Sequence, residues 1–291
     1  MISWFSNLKD FKHQADLLKT LSAEAQLLTQ KQGYLTGFCV FCNQITTMRV
    51  VPSGSAWTSL REAIMCDCGF NGRSRMVFNA LLETEPRARF LLMERVTPFF
   101  KAVQHRFNFA EGCEFFSFDT PPGKTQMIGD IEVRHENLLN LSFDDDSFEY
   151  MFHGDVLEHI PDISTAFKAC FRTLKPGGTM LFTCPIVDRS RNLRRCEVQG
   201  GELIHHHPPI YHGNPMSDGG SLVFTEPSWQ ILEDLKIAGF TEIKIGLLLD
   251  PFQGILRDAN PYEEHNSGRL CSRRANEISS LANRKRLRIQ T

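Results

Sequence analysis

The residues best suited to chemistry come in three groups, of which the first is four close cysteines: Cys39 and Cys42 in GFCVFCNQ, and Cys66 and Cys68 in REAIMCDCGFNGRSR. A Cys-x-x-Cys turn points two thiolates at one ion, and a second pair after a gap of this length completes the four-sulfur set that suits tetrahedral zinc. The second pair has one intervening residue instead of two, and buried reduced thiols are the alternative. Such a site leaves no open coordination position, so it would hold shape. The second group is histidine: His205, His206, His207 and His212 fall within HHHPPIYH. Adjacent side chains diverge and no carboxylate cluster adjoins, which disfavours a metal; a substrate-shaping, proton-accepting lid or an inert loop is left. The third is His153, Gly154, Asp155, Glu158 and His159, where an apolar run ends. Arg73 and Arg75 can face a carboxylate or phosphate, but a solvated loop carrying two arginines is the expectation.

The elements that must position these groups form a βαβ unit. Phe148 to Gly154 follows the acidic turn Asp144-Asp145-Asp146 and predicts a strand. Ile163, Ala166, Phe167, Cys170, Phe171 and Leu174 recur at spacings of three and four, predicting a helix from about Ile163 to Leu174. Lys175-Pro176-Gly177-Gly178 should stop it, Lys175 suiting the negative helix end. Thr179 to Cys184 is then a short apolar strand covered on both faces. Upstream, RFLLME predicts a strand, RVTPFFKAVQHRF a helix, GCEFFSF a second strand and Ile131 to His135 a third. Parallel sheets of this kind bind ligands beyond the carboxyl ends of their strands, where Asp155 and His159 lie. Asp155 can alternatively cap the next helix, and His159 can pack against it.

LSFDDDSFEYMFHGDVLEHIPD followed by FRTLKPGG resembles the second half of a class I S-adenosylmethionine (SAM) dependent methyltransferase of the methyltransferase type 11 group, over about half the chain. The resemblance implies a Rossmann-like, seven-stranded, mostly parallel α/β sandwich, here with a small zinc ribbon-like module before it, as in a subgroup with a cysteine-rich leader. It also implies cofactor contacts. Most members have a glycine-rich loop after the first strand; here the loop reads Glu94-Arg95-Val96-Thr97-Pro98, without glycine. The subgroup carries a comparable glutamate-x-valine-threonine loop, with Glu94 where the family keeps an acid. Glu114, ending the second strand, falls where a carboxylate accepts the ribose hydroxyls; a surface carboxylate is the alternative. Asn137 falls where an aspartate usually accepts from the adenine amine, and Leu138 would pack on the ring, although a plain turn also fits.

The chain has 291 residues, 42% apolar and 23% charged, which suits a large domain with a small companion. A net charge of −2 and pI near 6.6 give no global attraction to nucleic acid or anionic lipid. The N-terminus interrupts its apolar residues with Lys9, Asp10 and Lys12, so neither a signal peptide nor a membrane span is expected. Nine cysteines then fit a reducing, cytoplasmic setting. The expected organisation is an amphipathic helix within 1–33, built from Leu8 to Gln30 with Leu8, Phe11, Ala15, Leu18, Leu21, Ala25 and Leu28 on one face; a zinc module over 34–80; a methyltransferase domain over 81–250; and a solvated basic tail over 251–291. Within the domain, an irregular lid is expected over 187–222, then a helix from Glu226 to Ala238 and a strand from Thr241 to Leu249.

The implied reaction moves a methyl group from the SAM sulfonium to a hydroxyl or amine of a small-molecule or sugar-type acceptor, with Asp155, His159, His207 and His212 as acid-base candidates. Amino-methylation of bases is disfavoured, because Gly154-Asp155-Val156-Leu157 stands where a polar-Pro-Pro-aromatic motif is needed. Cys184 has no Pro-Cys partner after the fourth strand and reads as a core thiol rather than a nucleophile. The rival readings are a non-catalytic SAM-binding or zinc-ribbon scaffold and a nucleic-acid methyltransferase. Oligomeric state is not encoded in these motifs.

Overall fold

A computed structural model describes residues 2–51, 60–85, 87–214, 216–256, 277–283 and 287–290. The chain divides into two compact units, residues 1–85 with 247–271 and residues 86–246 with 272–291. Among the described residues no helix is long and apolar enough to cross a membrane.

The first unit opens with α1 (Leu8–Gln32), started by the Asn7 side chain accepting from the Asp10 amide and ended by Gly33 in the left-handed region at φ 74. The helix was expected, and Phe11 and Ala15 of its expected face are buried, but toward its C-terminus the buried face rotates to polar residues. Phe11, Ala15, Ser22, Gln26 and Thr29 are buried, whereas Leu21 and Leu28 are exposed. Thr29 can be buried because its hydroxyl donates to the Ala25 carbonyl at 2.7 Å.

Strands β1 (Tyr34–Cys39), β2 (Gln44–Val50) and β3 (Ile64–Cys66) then pair antiparallel in that order. Their core holds Met48, Leu60, Ile64 and Leu256. Residues 251–256 therefore belong to this unit and not to a solvated tail. The turn Pro251–Gln253 lies so close to β1 that a side chain at Gly37 would collide with the Phe252 carbonyl.

Helix α2 (Gly72–Leu81) starts at Asn71, whose side chain accepts from the Ser74 amide. It carries Arg75 inward, contrary to the expectation of a solvated loop. The guanidinium is fully buried and donates to the carbonyls of Gln253 (2.6 Å), Phe70 (2.8 Å), Ile64 (3.0 Å) and Gly254 (3.2 Å). Burial pushes its pKa down, and the nearby cysteine sulfurs oppose that shift.

The second unit is built on β4 (Phe90–Leu92), α3 (Pro98–Arg106), β5 (Ala110–Glu114), β6 (Thr125–Ile128), β7 (Ile131–His135), β8 (Phe148–Gly154), α4 (Ile163–Thr173) and β9 (Leu174–Pro185). After β9 come β10 (Cys196–Gln199), β11 (Glu202–His205), β12 (Tyr211–Asn214), β13 (Ser217–Leu222), α5 (Ile231–Ile237), β14 (Glu277–Asn283) and β15 (Leu287–Gln290). The main sheet has the order β15-β14-β9-β8-β4-β5-β7-β6. Its middle five strands, β9-β8-β4-β5-β7, are parallel, while β6 and β14 run antiparallel to their inner neighbours. The Rossmann-like fold is as expected, with eight strands in place of seven.

Five local expectations change. Leu174 already pairs with Phe148, and a bulge separates it from Thr179, so Lys175–Gly178 lie inside the strand and Lys175 pairs with Glu149. The segment 187–222 contains two antiparallel hairpins, β10–β11 and β12–β13. The helix expected from Glu226 begins at Ile231, since Thr225–Glu226 pairs with Leu193–Arg194; the strand expected over 241–249 shortens to Ile245–Leu247, outside the main sheet. The C-terminal segment supplies β14 and β15; the rest of the basic run lies outside the described residues.

Replacing Arg75 tests the packing of the first unit. Arg75→Ala leaves four inward carbonyls without their donor, so the denaturation midpoint should fall by an amount worth about 3 kcal/mol or more. Arg75→Lys should recover only part of the loss, because an ammonium cannot reproduce the planar fork.

Candidate cofactor and acceptor site

Three of the parallel strands deliver the residues expected around the cofactor. β4 runs into the loop Glu94–Thr97, and β5 ends at Glu114, which is 8% exposed. One oxygen of Glu114 accepts from the Arg95 amide at 2.7 Å and the Val96 amide at 3.0 Å. The glycine-free loop is thereby fixed by a carboxylate from the next strand. Thr97 donates to Glu94 Oε2 at 2.6 Å and accepts from the Phe100 amide at 3.1 Å, capping α3.

The small residue that permits this approach is Gly112, on the neighbouring strand. A side chain there would meet the Glu94 carbonyl at 2.7 Å and the Phe100 ring at 2.5 Å. Glycine is needed across from the loop instead of within it.

β7 leads into the turn that carries Asn137 and Leu138. Its organiser is Glu136, singled out by no sequence motif, which bonds Arg134 at 2.6 Å, the Ser142 hydroxyl at 2.5 Å and the Ser142 amide at 2.9 Å. Asn137 Oδ1 accepts from the Leu139 amide at 2.9 Å, which is the turn alternative; a second lone pair is left for a ligand. Leu138 is buried.

At the end of β8, Asp155 holds φ 51, a left-handed backbone that a non-glycine residue keeps only when its surroundings fix it. Its amide donates to the Thr183 carbonyl at 2.8 Å and its carboxylate accepts from the Thr183 hydroxyl at 2.9 Å, so β9 secures it. His153 is fully buried and stacks on Phe182 at 5.0 Å; burial holds its pKa down to about 3, a neutral core imidazole. Cys184 is fully buried and burial raises its thiol well above the ordinary value, as a core residue requires.

The short helical turn Leu157–His159 follows Asp155, and the insertion is latched to it. His159 Nδ1 bonds the Leu222 carbonyl at 2.8 Å, and the Phe224 amide donates to the Glu158 carbonyl at 2.8 Å. This brings together His159 and His212, with ring centroids 5.1 Å apart, and adds Glu158. His207 does not join them: it is exposed, and its amide bonds the Arg195 carbonyl.

In the other unit, the turn after β1 and the end of β3 converge the four expected cysteines. Cys39 Sγ lies 3.7 Å from Cys68 Sγ and Cys42 Sγ 3.6 Å from Cys66 Sγ, with all four sulfurs within 4.8 Å of one another. All four are free thiols. Tetrahedral zinc with bonds of about 2.3 Å has sulfur-sulfur edges of about 3.8 Å, so the donor set fits that ion.

Glu114 gives a pH signature. Burial pushes its carboxyl above the ordinary 4.5, against the pull of the two amide hydrogen bonds. A carboxyl raised in the folded state stabilises it below the unfolded pKa and loses that contribution as pH rises through the folded one. Glu114→Gln, which keeps an acceptor oxygen, should therefore gain in stability relative to the parent as pH rises above 4.5. Paired urea midpoints across that range measure the gap. Movement in the opposite direction would show that the amides outweigh burial.

Residues 112–182 match a protein family described as "Methyltransferase domain". A demethylmenaquinone methyltransferase of Staphylococcus epidermidis is 41% identical over 58 residues, covering 20% of this chain and 24% of that protein. Phosphoethanolamine N-methyltransferase 2 of Caenorhabditis elegans is 46% identical over 45 residues, covering 16% of this chain and 10% of that one. The chain thus spans about a quarter, or less, of the curated relatives it matches. Among solved structures, an S-adenosylmethionine dependent methyltransferase from Mesorhizobium loti aligns over 58% of this chain and 81% of its own, with TM-score 0.37 and 16% identity. The second unit has a Rossmann-like α/β fold, and residues 112–182 within it match a methyltransferase domain.

Proposed function

We propose that the protein transfers a methyl group from SAM to a hydroxyl or amine of a small-molecule or sugar-type acceptor. The observation that carries this reading is the arrangement of Glu114: one oxygen fixes the loop after β4, and the other is left for the ribose hydroxyls. Glu94 and Thr97 hold the loop's next turn, and Asn137 and Leu138 face the adenine on this assignment. The named relatives act on demethylmenaquinone and phosphoethanolamine, which supports a small-molecule acceptor.

In the reaction a lone pair of the acceptor attacks the sulfonium methyl, the carbon-sulfur bond breaks to leave S-adenosylhomocysteine, and the acceptor's proton departs. Because the sulfonium is already electrophilic, the chain mainly aligns the nucleophile and receives its charge. We assign that side of the site to Asp155, His159 and His212, which the carboxyl ends of β8 and β9 and the latched insertion present. His207 is left outside it.

A non-catalytic SAM-binding scaffold is the competing reading, and the absence of glycine from the 94–98 loop is its motive. Calorimetry with SAM, paired with transfer of radiolabelled methyl to a cell extract fractionated by size, separates the two. SAM binding without label transfer to any fraction favours the scaffold, and label in nucleic acid would move the acceptor class. Glu114→Ala should weaken SAM binding by about 1.5 to 3 kcal/mol, as expected for lost hydrogen bonds to a charged group. Unchanged affinity in the folded variant removes Glu114 from the cofactor site.

We further propose that Cys39, Cys42, Cys66 and Cys68 hold a structural zinc ion. Burial and the neighbouring thiols raise Cys42, burial raises Cys68 to about 11, and Cys66 is lowered because hydrogen bonds outweigh its burial. Four thiolates this close need a cation between them. Free thiols also suit a reducing, cytoplasmic compartment. Elemental analysis of protein purified without added metal should show that Cys42→Ser lowers zinc content by about one equivalent per chain, with a lower thermal midpoint. Equal zinc in parent and variant would leave the cysteines as core thiols.

A further inference from the structure

We propose that Glu158, His159 and His212 form a second metal site, for a divalent transition ion of the zinc, cobalt(II), nickel or iron(II) class, held by two imidazoles and one carboxylate. Glu158 Oε1 lies 3.8 Å from His159 Nε2 and 3.5 Å from His212 Nδ1. One ligand atom from each residue lies within 4.8 Å of the others. An ion with bonds of about 2.1 Å spans donor pairs about 3 to 3.5 Å apart, so small side-chain adjustments complete the shell.

The second, independent observation is Glu158 itself. Its side chain is 2% exposed, and its Oε2 has no hydrogen-bond partner among the described residues. Nor does any arginine or lysine pair with it among those residues; its only ion-pair neighbours are the two histidines. A carboxylate removed from water without donors is costly, and a cation on its free lone pairs relieves that cost.

His159 is also oriented as a ligand. A carbonyl oxygen can only accept, so the 2.8 Å contact with Leu222 places the proton on Nδ1. In the neutral ring this leaves the Nε2 lone pair free, 3.8 Å from Glu158 Oε1. A cation between these two atoms would be bound by both, and a backbone carbonyl on the far ring nitrogen is the usual support of a metal-bound imidazole.

The donor set selects the ion class. Imidazole with carboxylate suits first-row transition metals, whereas magnesium and calcium prefer oxygen alone. Three protein ligands leave coordination positions open, unlike the four sulfurs of the first unit. The ion's role rests on the methyltransferase reading: an acceptor hydroxyl in an open position would have its pKa lowered before it meets the sulfonium. The site does not depend on that reading.

The test uses full-length protein given one equivalent of zinc to fill the cysteine site, then titrated with Co²⁺. The expected result is uptake of a further equivalent with visible d-d absorption and no sulfur-to-metal charge transfer. Glu158→Gln and His212→Ala should each bind Co²⁺ more weakly by at least the roughly 10- to 100-fold that loss of even a supporting partner costs, with cysteine-bound zinc unchanged. If Glu158→Gln does not fold, His212→Ala, on a hairpin outside the main sheet, carries the comparison. No second equivalent in the parent, or uptake unaffected by His212→Ala, overturns the site. SAM affinity is measured in the same samples: SAM binding without Co²⁺ uptake defeats the metal site alone, and Co²⁺ uptake without SAM binding defeats the methyltransferase reading alone.

Discussion

The site depends first on one carboxylate accepting from two backbone amides. A loop leaving the carboxyl end of a parallel strand carries amides with no partner in the sheet, and they must be satisfied before the loop can keep one shape. Glycine-rich loops achieve a compatible shape through backbone freedom; this chain uses Glu114, from the adjacent strand, as acceptor for Arg95 and Val96. Tight approach is still required, and it moves the glycine to position 112, where any side chain would strike the Glu94 carbonyl. Charge-assisted bonds of this kind are about twice as strong as neutral ones, so the loop is more rigid than one held by neutral groups. Glu136 repeats the device one strand away, accepting from Ser142 and Arg134 to hold the turn of Asn137 and Leu138.

What the sequence made legible follows from how local each cause is. β7 and β8 match their expected bounds, Ile131–His135 and Phe148–Gly154, because an apolar run between turn residues needs nothing distant to define it. The cysteine pairs were readable because thiolate donors at close spacing have few other uses. The buried face of α1 toward its C-terminus was not, since whether Leu21 or Ser22 points inward depends on which partner the helix meets. The KPGG segment carries stop signals that serve a bulge as well as a helix end, as positive φ at Gly177 is common to both. The hairpins of the 187–222 segment escaped because their strands are short and polar, and the strands of the basic C-terminal run because charge suggested solvent.

Glu158 was marked in the sequence by its place at a strand end, but the fold alone reveals its partner His212. In the sequence it is one acid in a short turn, with no partner at helical or strand spacing. In the structure two bonds, His159 to Leu222 and Phe224 to Glu158, dock the returning end of the insertion on that turn and carry His212 to within 3.5 Å of the carboxylate. The histidine-rich stretch looked unsuited to metal because adjacent imidazoles diverge and no acid stood nearby. Divergence holds for His205, His206 and His207, which are exposed, His206 pairing with Glu197 at 3.3 Å; it does not reach His212, whose acid comes from another part of the chain.

The two candidate metal sites differ in the property that separates structural from reactive centres. Four sulfurs saturate a tetrahedral ion and tie two ends of a small antiparallel sheet, so their ion would contribute to folding. The fully buried Arg75 lies in the same unit, where the sulfurs favour its charged form and its fork is spent entirely on carbonyls. That positive charge is committed to the carbonyls and is unavailable to a substrate. At Glu158 no such cation has been supplied by the chain among the described residues, and one oxygen is left without a donor. Both clusters thus call for a cation from outside, but only the three ligands at Glu158 leave it open positions, which is what separates a ligand-binding centre from a structural one.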